Sequence, residues 1–258
     1  MIKLKDILLE STAPDIFVPR RMEDRMERYK NTVVRNLQDY IKNGSDGNLS
    51  LRSSPLRELP SNLKYVGGYL DLQFSNISKL PENLTIDGSL LIARTPIAEI
   101  PESTFIGGGI NIHSTKVSKL PSKLTRINGH LTTTHSQLTE LPPNLEYIAG
   151  TFYGSDSPIS KLPDNLTVEG DLNLQRTLML TKLPDNLTVG GDLKLNWSEL
   201  SELPKNLNVN GALEIRETPL AKKIVDEHPD FTRQQLTGNY IIKYLSKRSV
   251  NVKTYVSI

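Results

Sequence analysis

Apolar residues recur along most of this chain at one long period. Leu/Ile-Pro dipeptides begin at Leu59, Leu80, Ile100, Leu120, Leu141, Leu162, Leu183 and Leu203, every 20 or 21 residues. Between them lie pairs of apolar positions two apart: Leu49/Leu51, Leu70/Leu72, Leu90/Ile92, Ile110/Ile112, Leu131/Thr133, Phe152/Gly154, Leu172/Leu174, Leu193/Leu195 and Leu213/Ile215. A period of two places both members of a pair on one face of a short strand. One strand per repeat, with no repeat able to bury its apolar face alone, predicts coils stacked into a solenoid with a parallel sheet. At about 4.8 Å per step the stack runs to roughly 38 Å.

Other columns refine the coil. A glycine precedes each strand from Gly68 onward, the position of a tight corner that favours positive φ. Three residues after the second strand position stands a hydroxyl residue in every coil: Ser54, Ser75, Thr95, Thr115, Ser136, Ser157, Thr177, Ser198 and Thr218. Buried there, it is expected to bond the backbone of the neighbouring coil. The coil after Leu172 carries one more residue, which predicts a bulge near Leu178. The proline then excludes helix from the return segment.

Both ends of such a stack need covers. Met22, Met26, Tyr29, Val33, Leu37 and Ile41 lie at helical spacing with Gly44 as a stop, a helical N-terminal cap. A short helix is expected from about Leu220 to Glu227, followed after Pro229 by a mixed α/β tail. The division is therefore 1–19 extended leader, 20–45 helical cap, 46–218 solenoid and 219–258 C-terminal cap. The fold class is a mainly β repeat solenoid of about nine coils.

Composition removes several functions. The chain has no cysteine, so disulfides and cysteine-based zinc sites are excluded. No apolar run reaches the ~18 residues of a membrane span, and the start lacks a secretory h-region. Net charge is +2, with basic ends around a middle (46–218) of fifteen basic and nineteen acidic residues. That is a poor match to nucleic acid. The catalytic motifs of hydrolases, P-loops and zincins are absent, so no enzyme activity, cofactor or metal is expected. Asp171 and Asp192 stack, but both belong to the repeat's G-D-L wording. His113, His130 and His135 occupy three different columns, an arrangement unlike a metal site. Gly107-Gly108-Gly109 falls at a coil corner rather than a phosphate loop, and one T-x-T run at Thr132–Thr134 does not make an ice-binding ladder.

Near-identical blocks at Lys161 (KLPDNLTVEGDLNL) and Lys182 (KLPDNLTVGGDLKL) carry a family likeness. From about 49 to 220 the chain resembles the leucine-rich repeat superfamily, in the short LP type of bacterial ubiquitin-ligase effectors. Its N-L-T-V-x-G-D-L wording is closer still to arrays in proteins of large tailed bacteriophages. The first likeness implies a catalytic cysteine in a further domain, which this chain does not contain. The second implies a host-cytoplasm or virion protein, either a binder of a host or virion protein or a packaged structural component. Leu8-x-Glu10 followed by Ser11 is similar to the cleavage signal of phage prohead proteases.

The outward strand face is where solenoids bind partners. The residues expected to line it are Tyr69, Phe74, Arg94, His113, His135, Tyr153, Arg176, Trp197 and Arg216, with a protein as partner and Trp197 either an interface anchor or a cover over the bulge beside Arg176. A row of Tyr69, Tyr153 and Trp197 would also suit carbohydrate.

Overall fold

The computed structural model describes residues 18–229, 242, 245–246, 250–253 and 256–258. The predicted Glu10–Ser11 processing site and most of the predicted leader lie outside them. The fold is a parallel β-solenoid of about eight complete turns, with a helix before it and a small helix and two strands after it.

Ten two-residue strands form the main ladder, from Leu49–Ser50 through Leu213–Glu214 to Val256–Ser257. Every step pairs equivalent residues of successive coils, as Leu49 with Leu70 and Leu172 with Leu193. A second ladder, not anticipated from the sequence, runs through the return segments. It consists of a three-stranded part (Tyr65–Val66, Thr85–Ile86, Phe105–Ile106) and a six-stranded part from Arg126–Ile127 to Asn251–Val252. At the break between them, the Asn128 side-chain amide donates to the Gly107 carbonyl at 3.0 Å.

Most coils send six aliphatic side chains inward, for example Leu80, Leu84, Ile86, Leu90, Ile92 and Ile97, all buried. Two coils depart from the L-x-L rule, and one of them compensates in size. Gly154 leaves room that the Phe152 ring occupies: a Cβ there would sit 3.1 Å from that ring and 2.7 Å from Leu174 Cδ2. Thr133 replaces a leucine in the preceding coil and is wholly buried, with its hydroxyl unpartnered.

The glycine column serves a different purpose from the one expected. Among the described glycines only Gly44 and Gly47 have positive φ. The column instead stacks backbone on backbone: Gly88 N–H donates to Gly68 O at 2.9 Å, and Gly108 N–H to Gly88 O at 2.9 Å. A Cβ on Gly88 would lie 2.6 Å from the Gly68 carbonyl carbon. Close approach, not conformational freedom, demands glycine there.

Beside that spine runs a side-chain ladder. Asp171 Oδ1 accepts from Asp192 N–H at 2.8 Å, and Asp192 Oδ1 from Ala212 N–H at 2.9 Å. Asn48, Ser89, His130 and Thr151 do the same for their successors. The stacked aspartates are thus structural acceptors, and His130 accepts through Nδ1.

The first helix, α1, spans Val18–Lys42, so it begins inside the segment expected to be extended. It ends in a Schellman motif, with Ser45 N–H donating to Tyr40 O and Gly44 N–H to Ile41 O, and Gly44 at φ +95°. Only its C-terminal part caps the solenoid, through buried Leu37 and half-buried Val33, Val34, Tyr40 and Ile41. At the other end α2, Pro219–Asp226, is capped by Thr218, whose hydroxyl accepts from Ala221 N–H. The tail strands continue both ladders. Asn251 pairs with Asn208 and Val256 with Leu213, repeating the in-coil spacing of five residues.

Candidate interaction surface

The strand face turns a corner at one residue per coil, and that residue is left-handed. Ser53, Phe74, Arg94, Ser114, His135, Asp156, Arg176, Trp197 and Glu217 all have φ between 53° and 60°. Each stands just before the hydroxyl column, at the third position of a four-residue turn, which type II turns set at positive φ. The turn closes within its own coil, as Ser54 N–H to Leu51 O at 3.0 Å and Ser198 N–H to Leu195 O at 3.1 Å. Hydroxyls reinforce the same carbonyls: Thr115 Oγ1 donates to Ile112 O and Thr218 Oγ1 to Ile215 O, each at 2.7 Å. Ser54, Ser75 and Ser136 instead accept from the backbone N–H two residues on, and the Ser198 hydroxyl has no partner, so the column bonds within its own coil wherever it bonds at all.

Neighbouring coils lock the corner through the backbone. Phe74 N–H donates to Ala93 O at 3.0 Å, Arg94 N–H to His113 O at 2.9 Å, and Trp197 N–H to Arg216 O at 2.9 Å. The stack imposes a conformation that Gly or Asn would adopt freely and that costs a bulky residue about 1–2 kcal/mol. Five of the nine residues expected on the binding face, Phe74, Arg94, His135, Arg176 and Trp197, share this single column. The outcome is a row of mostly large side chains at about 4.8 Å intervals, interrupted by the small Ser114 between Arg94 and His135.

Two clusters dominate the row. Near its start the Phe74 ring lies between two guanidiniums, with the Arg52 carbon 4.8 Å and the Arg94 carbon 5.5 Å from the ring centroid. Near its end Arg176 grips Asp156 through two hydrogen bonds, beside an open groove of about 620 Å³ lined also by Pro158, Leu178, Met179 and Trp197. Trp197 is 47% exposed, Leu178 60% and Met179 62%. The extra residue of that coil pushes Leu178 and Met179 outward, so the expected bulge is present and contributes the groove's apolar wall. Those two residues were not recognised as surface candidates, although the longer spacing marked them.

The remaining candidates are dispersed. His113 lies one column inward, its ring 5.8 Å from that of His135. Burial foremost, then the charge of Arg94, depresses its pKa. Arg216 Nε donates to Ser257 Oγ, which ties it to the tail strand. Tyr69 and Tyr153 are exposed in two other columns, four coils apart. Tyr69, Tyr153 and Trp197 thus form no shared platform for a sugar. Among the described residues no three His, Asp or Glu side chains converge on a metal position, and no helix is long and apolar enough to cross a membrane.

No family model, curated protein or solved structure matches this chain.

A second groove, of about 390 Å³, lies where the return ladder is broken, between exposed Phe105 and Arg126. Arg126 in turn covers the Tyr147 ring at 4.1 Å.

Proposed function

We propose that the chain is a non-catalytic binding scaffold that holds a protein partner along the left-handed row, anchored in the Arg176–Trp197 groove. One observation carries this reading. Bulky and charged side chains occupy a position whose backbone disfavours them, and most of them are exposed rather than packed into the core. Strain retained at surface positions is a feature of working sites, and Trp, Tyr and Arg are the residue types that anchor interfaces. The groove offers aliphatic and aromatic contact beside a fixed ion pair, which suits an apolar side chain flanked by polar backbone.

The wording of the repeat supports a bacteriophage setting, with a host or virion protein as the partner. Capture experiments test the reading. Wild-type chain immobilised from a lysate of the source cell should retain a partner that a Trp197→Gly, Leu178→Ser double variant loses. Equal retention by both would move the interface off this row.

A further inference from the structure

Helix α1 is longer than the solenoid needs. Its C-terminal part packs on the first coil, whereas residues 22–32 are exposed on every side. A free-standing helical stretch of this length is marginal in water. Yet it carries an apolar stripe, Met22, Met26 and Tyr29, all exposed and leading into half-buried Val33. The spacing of four, three and four is that of a helix-pairing seam.

The charges beside the seam are self-complementary. Glu23 and Lys30 flank the stripe on the same edge, seven residues apart. Antiparallel pairing of two such stripes sets Met26 against the partner's Tyr29 and Met22 against the partner's Val33. The same register brings Glu23 beside the partner's Lys30, twice by symmetry. Among the described residues neither Glu23 nor Lys30 has an ion-pair partner within its own chain. Each solenoid sits at the C-terminal end of its helix, so antiparallel packing keeps the two bodies at opposite ends. Residues 20–30 mix five basic with three acidic side chains, so the segment is not a block of like charge.

We infer that this segment is a self-association helix through which two copies of the chain pair antiparallel. The overlap of residues 22–33 is short, about 18 Å, so the pairing belongs with small, weak and transient interfaces. It is independent of the strand-face reading.

Sedimentation velocity on the full chain from roughly 5 to 300 µM tests this. The expected result is a monomer–dimer equilibrium in which helical circular dichroism per residue rises with concentration. Met26→Asp, on the exposed stripe, should abolish the dimer while the thermal transition of the solenoid stays unchanged. Glu23→Lys and Lys30→Glu should each weaken it about tenfold, and an equimolar mixture of those two variants should recover it, because the heterodimer restores both pairs. A chain monomeric throughout overturns the proposal, as does a dimer indifferent to Met26→Asp. Failure of the mixed variants to recover overturns the antiparallel register.

Discussion

Arg176 and Asp156 occupy the same left-handed turn position in adjacent coils and meet in a two-pronged ion pair, Nε to Oδ1 at 2.6 Å and Nη2 to Oδ2 at 2.9 Å. Stacking in register is what places a cation directly above a carboxylate separated from it by 20 residues. The hydrogen bonds from Arg176 hold the Asp156 carboxyl below the usual carboxylate range. A depressed carboxyl pKa gives a contribution that is present above the unfolded value, near 4, and lost as pH falls through the folded one. Carbon-13 NMR titration should show Asp156 ionising below its ordinary value, and Arg176→Ala should return it upward. An unshifted Asp156 in the wild type would mean that the pair does not form in solution.

Trp197 tests whether the row is for binding or for folding. Glycine relaxes the left-handed φ of 59°, a gain of about 1 kcal/mol that its greater unfolded-state freedom largely cancels. Trp197→Gly should therefore change stability by less than about 1 kcal/mol in urea unfolding while removing partner capture. A loss of several kcal/mol would instead make Trp197 a structural cover.

The glycine spine makes the opposite prediction. A methyl at Gly88 meets the Gly68 carbonyl carbon at 2.6 Å, a backbone atom that cannot rotate away. Gly88→Ala should cost about 2–3 kcal/mol, seen as a lower urea midpoint. Full stability would mean that successive coils lie further apart at the glycine column than the 2.6 Å approach to Gly68 implies.

Thr133 presents a buried hydroxyl with no partner. Thr133→Val keeps the shape and removes the unpaired group, so it should stabilise the protein by about 1–2 kcal/mol. Thr177→Val is the contrast. There the hydroxyl donates to Leu174 O at 2.6 Å, and its loss should destabilise.

The solenoid, its main ladder, both helices and the bulge were legible in the sequence because each rests on apolar spacing. The return ladder was not. Only one residue of each of its strands, such as Val168 or Val189, faces the core, and no second core-facing residue follows two positions on, so no alternation develops to mark them. The candidate surface was half legible. The large residues were visible, but their grouping at one turn was hidden, since positive φ is ordinarily signalled by Gly, Asn or Asp. The Asn165, Asn186 and Asn206 corners follow that custom. At Phe74, Arg94 and Trp197 the coil-to-coil hydrogen bonds impose the angle, so the residue type carries no trace of it. The glycine column misled for a related reason: the space a glycine leaves and the φ it permits look identical in sequence.

The proposed surface requires left-handed corners lying one above another, so that residues about 20 apart touch. The chain has no cysteine of its own, which makes paired cysteines a direct probe. Arg176→Cys with Trp197→Cys should form a disulfide readily under mild oxidation, because adjacent coils bring the two Cα atoms within about 7 Å. Arg176→Cys with Glu217→Cys, two coils apart, should remain reduced. Ready bridging of the second pair, or none in the first, would contradict the stacked row on which the proposed binding surface is built.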